Sequence, residues 1–159
     1  MSFIITPDMI INGKIDHINI KTAKYVFCDG CTELVELPNW PNVEVVDCSK
    51  CTGLIKLPNW PNVVCISCDG CTGLIKLPNW PNVEIVSCNR CTGLTKLPNW
   101  SIVKEVYCVE CIGLKKLPNW PKVHTVCCCP GLKYPALIVL LETEFLLYDL
   151  KKECILWHV

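Results

Sequence analysis

The stretch CTGLIKLPNWPNVVCISCDG at residues 51–70 is followed at 71–90 by CTGLIKLPNWPNVEIVSCNR, and segments 51–63 and 71–83 are identical. The phase runs outward in both directions. Cys28, Cys48, Cys68, Cys88 and Cys108 stand twenty residues apart, as do Cys31, Cys51, Cys71, Cys91 and Cys111. Leu34 to Leu114, Leu37 to Leu117, Pro38 to Pro118 and Trp40 to Trp120 keep the same step. Five full units occupy residues 28–127, and a degraded sixth carries Cys129-Pro130-Gly131-Leu132 after a deletion of two residues. A fixed short period over most of a chain marks a stacked array.

Inside each unit the pattern alternates. Val26 and Cys28, Val46 and Cys48, Ile66 and Cys68, Val86 and Cys88, Val106 and Cys108, and Val126 and Cys128 flank a variable residue: Phe27, Asp47, Ser67, Ser87, Tyr107 or Cys127. Period two with one apolar side predicts one short half-buried strand per unit. Units that return to phase stack those strands in parallel, about 4.8 Å apart. Leu-Pro-Asn-Trp-Pro cannot be ladder strand or regular helix, because proline lacks the donor and restricts the residue before it. It predicts an irregular, extended return leg. The expected fold is therefore a repeat solenoid with a core running the length of the stack.

The frame Val43-x-x-Val46-x-Cys48-x-x-Cys51-x-x-Leu54-x-x-Leu57-Pro58 resembles a leucine-rich repeat. Its Leu-Pro ending and length resemble the short bacterial class found in secreted effectors. The Cys and Asn-Trp-Pro variant is similar to repeat proteins encoded by giant viruses of amoebae. The resemblance covers residues 28–127, and 16–135 in weakened form. It implies a leucine-rich-repeat-like fold and a module that binds other proteins, of the kind viruses and effectors direct at host proteins. Cys28 and its equivalents depart from the usual strand Leu, and Cys31 and its equivalents from the commoner Asn.

The ends predict caps. Residues 1–27 form an N-terminal cap and first strand, with Ile15, Ile18 and Ile20 alternating with polar residues. The array spans 28–135, and 136–159 is the C-terminal cap. There Leu137, Leu140, Leu141, Phe145 and Leu146 oppose Glu142, Asp149 and Glu153 at helical spacing, between Pro135 and Lys151-Lys152. That predicts a helix, with two short strands as the alternative.

Of the chain's 159 residues, 15 are cysteine, a density that suggests a disulfide scaffold in a secreted protein. The odd total and the opening Met1-Ser2-Phe3-Ile4-Ile5-Thr6-Pro7-Asp8, which lacks a basic flank and apolar core, point instead to an intracellular, reducing compartment without a signal peptide. The longest apolar run, Ala136 to Leu141, is far short of the roughly 20 residues of a membrane span. Two explanations for the paired cysteines remain. As repeat positions they pack as small buried hydrophobes. As adjacent Cys-x-x-Cys pairs (Cys28, Cys31, Cys48 and Cys51; Cys68, Cys71, Cys88 and Cys91) they match four-cysteine zinc spacing. No cofactor is expected on the first reading. Cys65 and Cys127 fall in outward columns and are the candidate reactive thiols.

Lys and Arg number 15 and Asp and Glu 15, so the formal charge is zero, which weighs against a general nucleic-acid or anionic-membrane binder. His17, His124 and His158 have no repeated nucleophile or carboxylate companions, and phosphate-loop and HExxH motifs are lacking. Catalysis is not expected. Function in a solenoid sits on exposed strand positions, which makes Val45, Asp47, Ser49, Cys65, Ser67, Asp69, Ile85, Ser87, Asn89, Glu105 and Tyr107 the candidate binding residues for a protein partner. Their apolar centre and polar rim resemble a small interface. A metal-loaded or self-assembling structural solenoid is the alternative. Two further rows need explaining. The tryptophans Trp40 to Trp120 either stack behind the prolines or grip a partner. Lys56, Lys76, Lys96 and Lys116, headed by Glu36, form a solvated edge or attract an acidic partner.

Overall fold

In the computed structural model the described residues are 2–15, 22–129, 132 and, for backbone only, 155–158. Six short strands recur at the repeat spacing: β4 (Tyr25–Phe27), β5 (Val45–Asp47), β6 (Cys65–Ser67), β7 (Ile85–Ser87), β8 (Glu105–Cys108) and β9 (Thr125–Cys128). Each pairs in parallel with the next at an offset of twenty residues, so Val26, Val46, Ile66, Val86, Val106 and Val126 form one continuous inward row. The expected parallel β-solenoid is the architecture found, and no α-helix occurs among the described residues.

The length of the coil follows from two periods. From Cys28 the buried residues are Cys31, Leu34, Leu37, Trp40, Val43 and Val46, every third position, and then Cys48 two residues on. The turns explain the step of three at the start of each leg: Cys31 N donates to Cys28 O at 3.3 Å and Leu34 N to Cys31 O at 3.1 Å, the i to i+3 bonds of a backbone with three residues per turn. The strand then alternates with period two. A return leg in threes closed by one strand step in two comes back to phase at the repeat length.

Parallel stacking lets each coil satisfy its neighbour. Cys48 N donates to Ser67 O and Cys68 N to Ser87 O, both at 2.8 Å. The tryptophans stack with centroids 5.7–6.2 Å apart and planes within 14°, and they are at most 2% exposed. Each Nε1 from Trp60 to Trp120 donates to the proline carbonyl of the preceding coil at 2.9–3.1 Å. The row is core, and a partner-gripping aromatic strip is excluded by its burial. On the return legs Asn62 and Asn82 bond across coils, to Pro41 O and Pro61 O at 2.8 Å, one turn beyond the exposed Asn59 and Asn79.

Both caps differ from expectation. The first strand is β1 (Ser2–Ile4), parallel to β4. Ile15 lies in a separate hairpin of β2 (Ile10–Ile11) and β3 (Lys14–Ile15), while Ile18 and Ile20 lie outside the described residues. The hairpin turns on Asn12 and Gly13 at φ 52° and 75°, the left-handed pair that two-residue hairpins favour. At the other end, β10 (Ile155–His158) pairs antiparallel with β9. Within the segment 136–159, for which a helix was expected, residues 155–158 are strand, as in the alternative of short strands, and Ile155 and Trp157 have the matching β propensity. Residues 136–154 lie outside the described ones.

Candidate functional site

The outward face of the sheet carries three rows in register. Tyr25, Val45, Cys65, Ile85, Glu105 and Thr125 form the first, and Phe27, Asp47, Ser67, Ser87, Tyr107 and Cys127 the second. Asp29, Ser49, Asp69, Asn89, Val109 and Cys129 continue past the strand ends. All eleven candidate binding residues come together here, half-buried because side chains about 4.8 Å apart shield one another. Thr125 is buried.

The polar members are fixed by one another. Asp47 Oδ1 accepts from Ser49 N at 3.0 Å and Ser49 Oγ at 2.6 Å, and Ser49 Oγ meets Ser67 Oγ at 2.8 Å. One coil on, Asp69 Oδ1 accepts from Ser87 Oγ at 2.7 Å and Asn89 N at 2.8 Å, and Asn89 Nδ2 reaches Asp69 Oδ2 at 3.2 Å. Val109 N donates to Asn89 Oδ1 at 2.8 Å, which carries the belt onward. Tyr107 donates to Glu105 Oε2 at 2.8 Å, and that bond raises the phenol's pKa above its usual value. These carboxylates are occupied by donors on their own face, so the belt presents a preset hydrogen-bonding pattern beside the aliphatic Val45, Cys65 and Ile85.

Residues outside the candidate set extend the apolar part. Tyr25 and Phe27 are each 39% exposed, and Ile4, paired with Phe27 through β1, is 70% exposed. Tyr25 and Phe27 were visible as members of the outward columns. Ile4 was not, because only the parallel docking of β1 puts it on this face.

The cysteine columns are inward. Cys51, Cys71, Cys91 and Cys111 donate to the carbonyls of Cys28, Cys48, Cys68 and Cys88 at 2.8–3.0 Å. Cys48 and Cys68 donate the other way, to Ser67 O and Ser87 O at 3.4 Å. Hydrogen bonds with the next coil's thiol and burial hold the Cys48, Cys68 and Cys88 thiols well above the ordinary range. The same thiol–thiol bonds act in the opposite direction on Cys51 and Cys111, whose pKa values are lowered. Among the described residues no three His, Cys, Asp or Glu side chains are grouped to hold an ion. The four-cysteine sets of Cys28, Cys31, Cys48 and Cys51 and of Cys68, Cys71, Cys88 and Cys91 form no such group among the described residues. Cys65 is half-buried, and burial, followed by the Asp47 carboxylate, raises its pKa, so its exposure does not make it an activated thiol. His124 Nδ1 lies 3.1 Å from Thr125 Oγ1. Among the described residues no helix is long and apolar enough to cross a membrane.

No family model matches the chain, nor does any curated protein or solved structure, so the repeat geometry itself is what functional argument rests on.

Proposed function

We propose that the chain is a leucine-rich-repeat-type module that binds another protein through the outward face of its sheet and performs no chemistry of its own. One observation carries this reading: inward rows keep the same residue from coil to coil, with Ile66 replacing Val as the one change on the strands, whereas the outward rows on the same strands differ at nearly every coil. Packing demands the first and leaves the second free to match a partner. The surface has the make-up of an interface, with aromatic and aliphatic side chains at Ile4, Tyr25, Phe27, Val45, Cys65 and Ile85 and a hydrogen-bonded polar border. The preset belt lowers the ordering cost of association.

The test is affinity capture from host-cell lysate with the wild-type chain and two variants, Cys65→Arg/Ile85→Arg and Tyr25→Ser/Phe27→Ser. The expected outcome is a protein retained by wild type and lost by both variants, whose circular dichroism and melting stay native. A retained protein that both variants still capture would remove this face from consideration.

A further inference from the structure

A second exposed strip runs along the return legs, away from the strand rows. Between inward Leu54 and Leu57 two consecutive residues, Ile55 and Lys56, face out, and the same holds in every coil. Stacked, they make two neighbouring lanes. One is aliphatic through Val35, Ile55 and Ile75, which are 40%, 54% and 62% exposed, and turns polar at Thr95 and Lys115. The other reads Glu36, Lys56, Lys76, Lys96 and Lys116. Ile55 N donates to Val35 O at 3.3 Å, so neighbouring coils stay in register here as they do in the sheet.

Elsewhere on the described surface several charges pair across coils. Lys24 pairs with Glu44 at 2.6 Å, Lys104 with Glu84 at 2.8 Å and Arg90 with Glu110 at 3.0 Å. Glu36 is held by Lys14 at 2.7 Å and Lys56 at 3.4 Å. Among the described residues Lys76, Lys96 and Lys116 have no carboxylate partner. The aliphatic stretch Val35, Ile55 and Ile75 at one end of the strip and the three uncompensated ammonium groups at the other meet at Ile75 and Lys76, and together they are complementary to one kind of ligand surface.

We propose that this strip docks an acidic amphipathic helix of another protein, lying along the axis of the stack. The spacing selects helix over strand. Coils repeat every ~4.8 Å, close to the ~5.4 Å helical pitch. A strand puts same-side residues about 6.7 Å apart and sends their neighbours to the opposite face. A helix offers two adjacent lanes, one apolar at i, i+3, i+4 and i+7 and one acidic beside it. Four coil steps span about 19 Å, which is ~13 helical residues. A nucleic-acid backbone would meet the lysines but gain nothing from Val35, Ile55 and Ile75.

The probe is a fluorescent, lactam-bridged helical peptide of about 14 residues with one Leu lane beside one Glu lane. Binding is read by anisotropy at low and physiological salt, with a Lys-for-Glu peptide and a single-stranded oligonucleotide as comparisons. The acidic peptide should bind, and its affinity should fall about tenfold in Ile55→Ser/Ile75→Ser and again in Lys76→Glu/Lys96→Glu/Lys116→Glu. The Cys65→Arg/Ile85→Arg variant of the sheet face should bind it as wild type does, which keeps this test separate from that of the sheet. The substituted strip residues are exposed, those of the sheet-face variant half-buried, and melting curves verify that every variant folds. Absence of peptide binding, or binding indifferent to both strip variants, overturns the proposal. So does oligonucleotide binding that exceeds peptide binding and ignores the isoleucine changes.

Discussion

The first coil, residues 28–47, and the coils stacked on it share a frame but not the same duties. Gly73 and Gly93 back onto carbonyl oxygens of the coil before them: a methyl group on Gly73 would stand 2.6 Å from Leu54 O and 2.8 Å from Thr52 O. At this position the first coil carries Glu33, which is exposed. Trp60, Trp80, Trp100 and Trp120 each find a proline carbonyl on the preceding coil, whereas Trp40 Nε1 is buried with no partner among the described residues. Cys31 reaches Ile5 O only at 3.6 Å, against 2.8–3.0 Å for its equivalents. A repeat residue is thus explained by the coil that precedes it as much as by its own.

The largest effect should come from breaking the close approach. Gly73→Ala or Gly93→Ala must push two backbones apart, at a cost of about 3 kcal/mol. Glu33→Ala, at the same position in the first coil, should stay within about 0.5 kcal/mol. Urea denaturation of the three variants checks this, and equal losses would refute the comparison. The indole bond should count for less. Trp80→Phe loses shape and a hydrogen bond to Pro58 O, while Trp40→Phe loses shape alone. The difference between their unfolding free energies should be about 1 kcal/mol.

A third contrast sits in the turn after each strand. Gly30 and Gly70 have φ of 74° and 70°, and Lys50, Arg90 and Glu110 hold φ 59° at the same place. Left-handed backbone costs a residue with a Cβ about 1 kcal/mol, so Lys50→Gly should raise stability by roughly that amount and Gly70→Ala should lower it. The loss of the Lys50 contact to Asp29 at 3.5 Å offsets little, because the pair is exposed. Smallest of all is the clamp on Glu36. Hydrogen bonds and charge from Lys14 and Lys56 lower its carboxyl pKa, so the unfolded state binds its proton more readily. Its contribution is present at neutral pH and lost as pH falls through the folded value. Lys14→Ala should shift the acid limb of the stability profile slightly upward in pH, and added salt should erase the difference.

The interior of the solenoid was legible because its rows repeat: five copies of Cys-x-x-Cys-x-x-Leu-x-x-Leu-Pro average away local ambiguity. The buried Trp row and the outward strand rows followed from the same frame. The ends carry one copy each and no such averaging. At 155–158 helix and short strand were both open from the sequence, and the antiparallel pairing with β9 decides for strand. Asn12-Gly13 was a hairpin signal overlooked beside the alternation of Ile15, Ile18 and Ile20. The apolar end of the candidate site was only half legible, since Tyr25 and Phe27 lie in the repeat frame but Ile4 joins them through a pairing no local pattern announces. The Cys-x-x-Cys spacing coincides with the threefold step of the leg, which places Cys28 and Cys31 one turn apart and buries both.

The tryptophan stack has an optical consequence. Five parallel indoles at 5.7–6.2 Å centroid spacing are close enough for their electronic transitions to couple, so the folded array behaves as one extended chromophore. Its near-ultraviolet circular dichroism should carry a coupled signal that isolated indoles lack, and excitation should migrate along the row before it is emitted. Because Trp40 and Trp120 occupy the two ends, fraying from either side shortens that antenna by one member at a time. The molecule therefore reports, in its own emission and without a label, how many of its coils are closed.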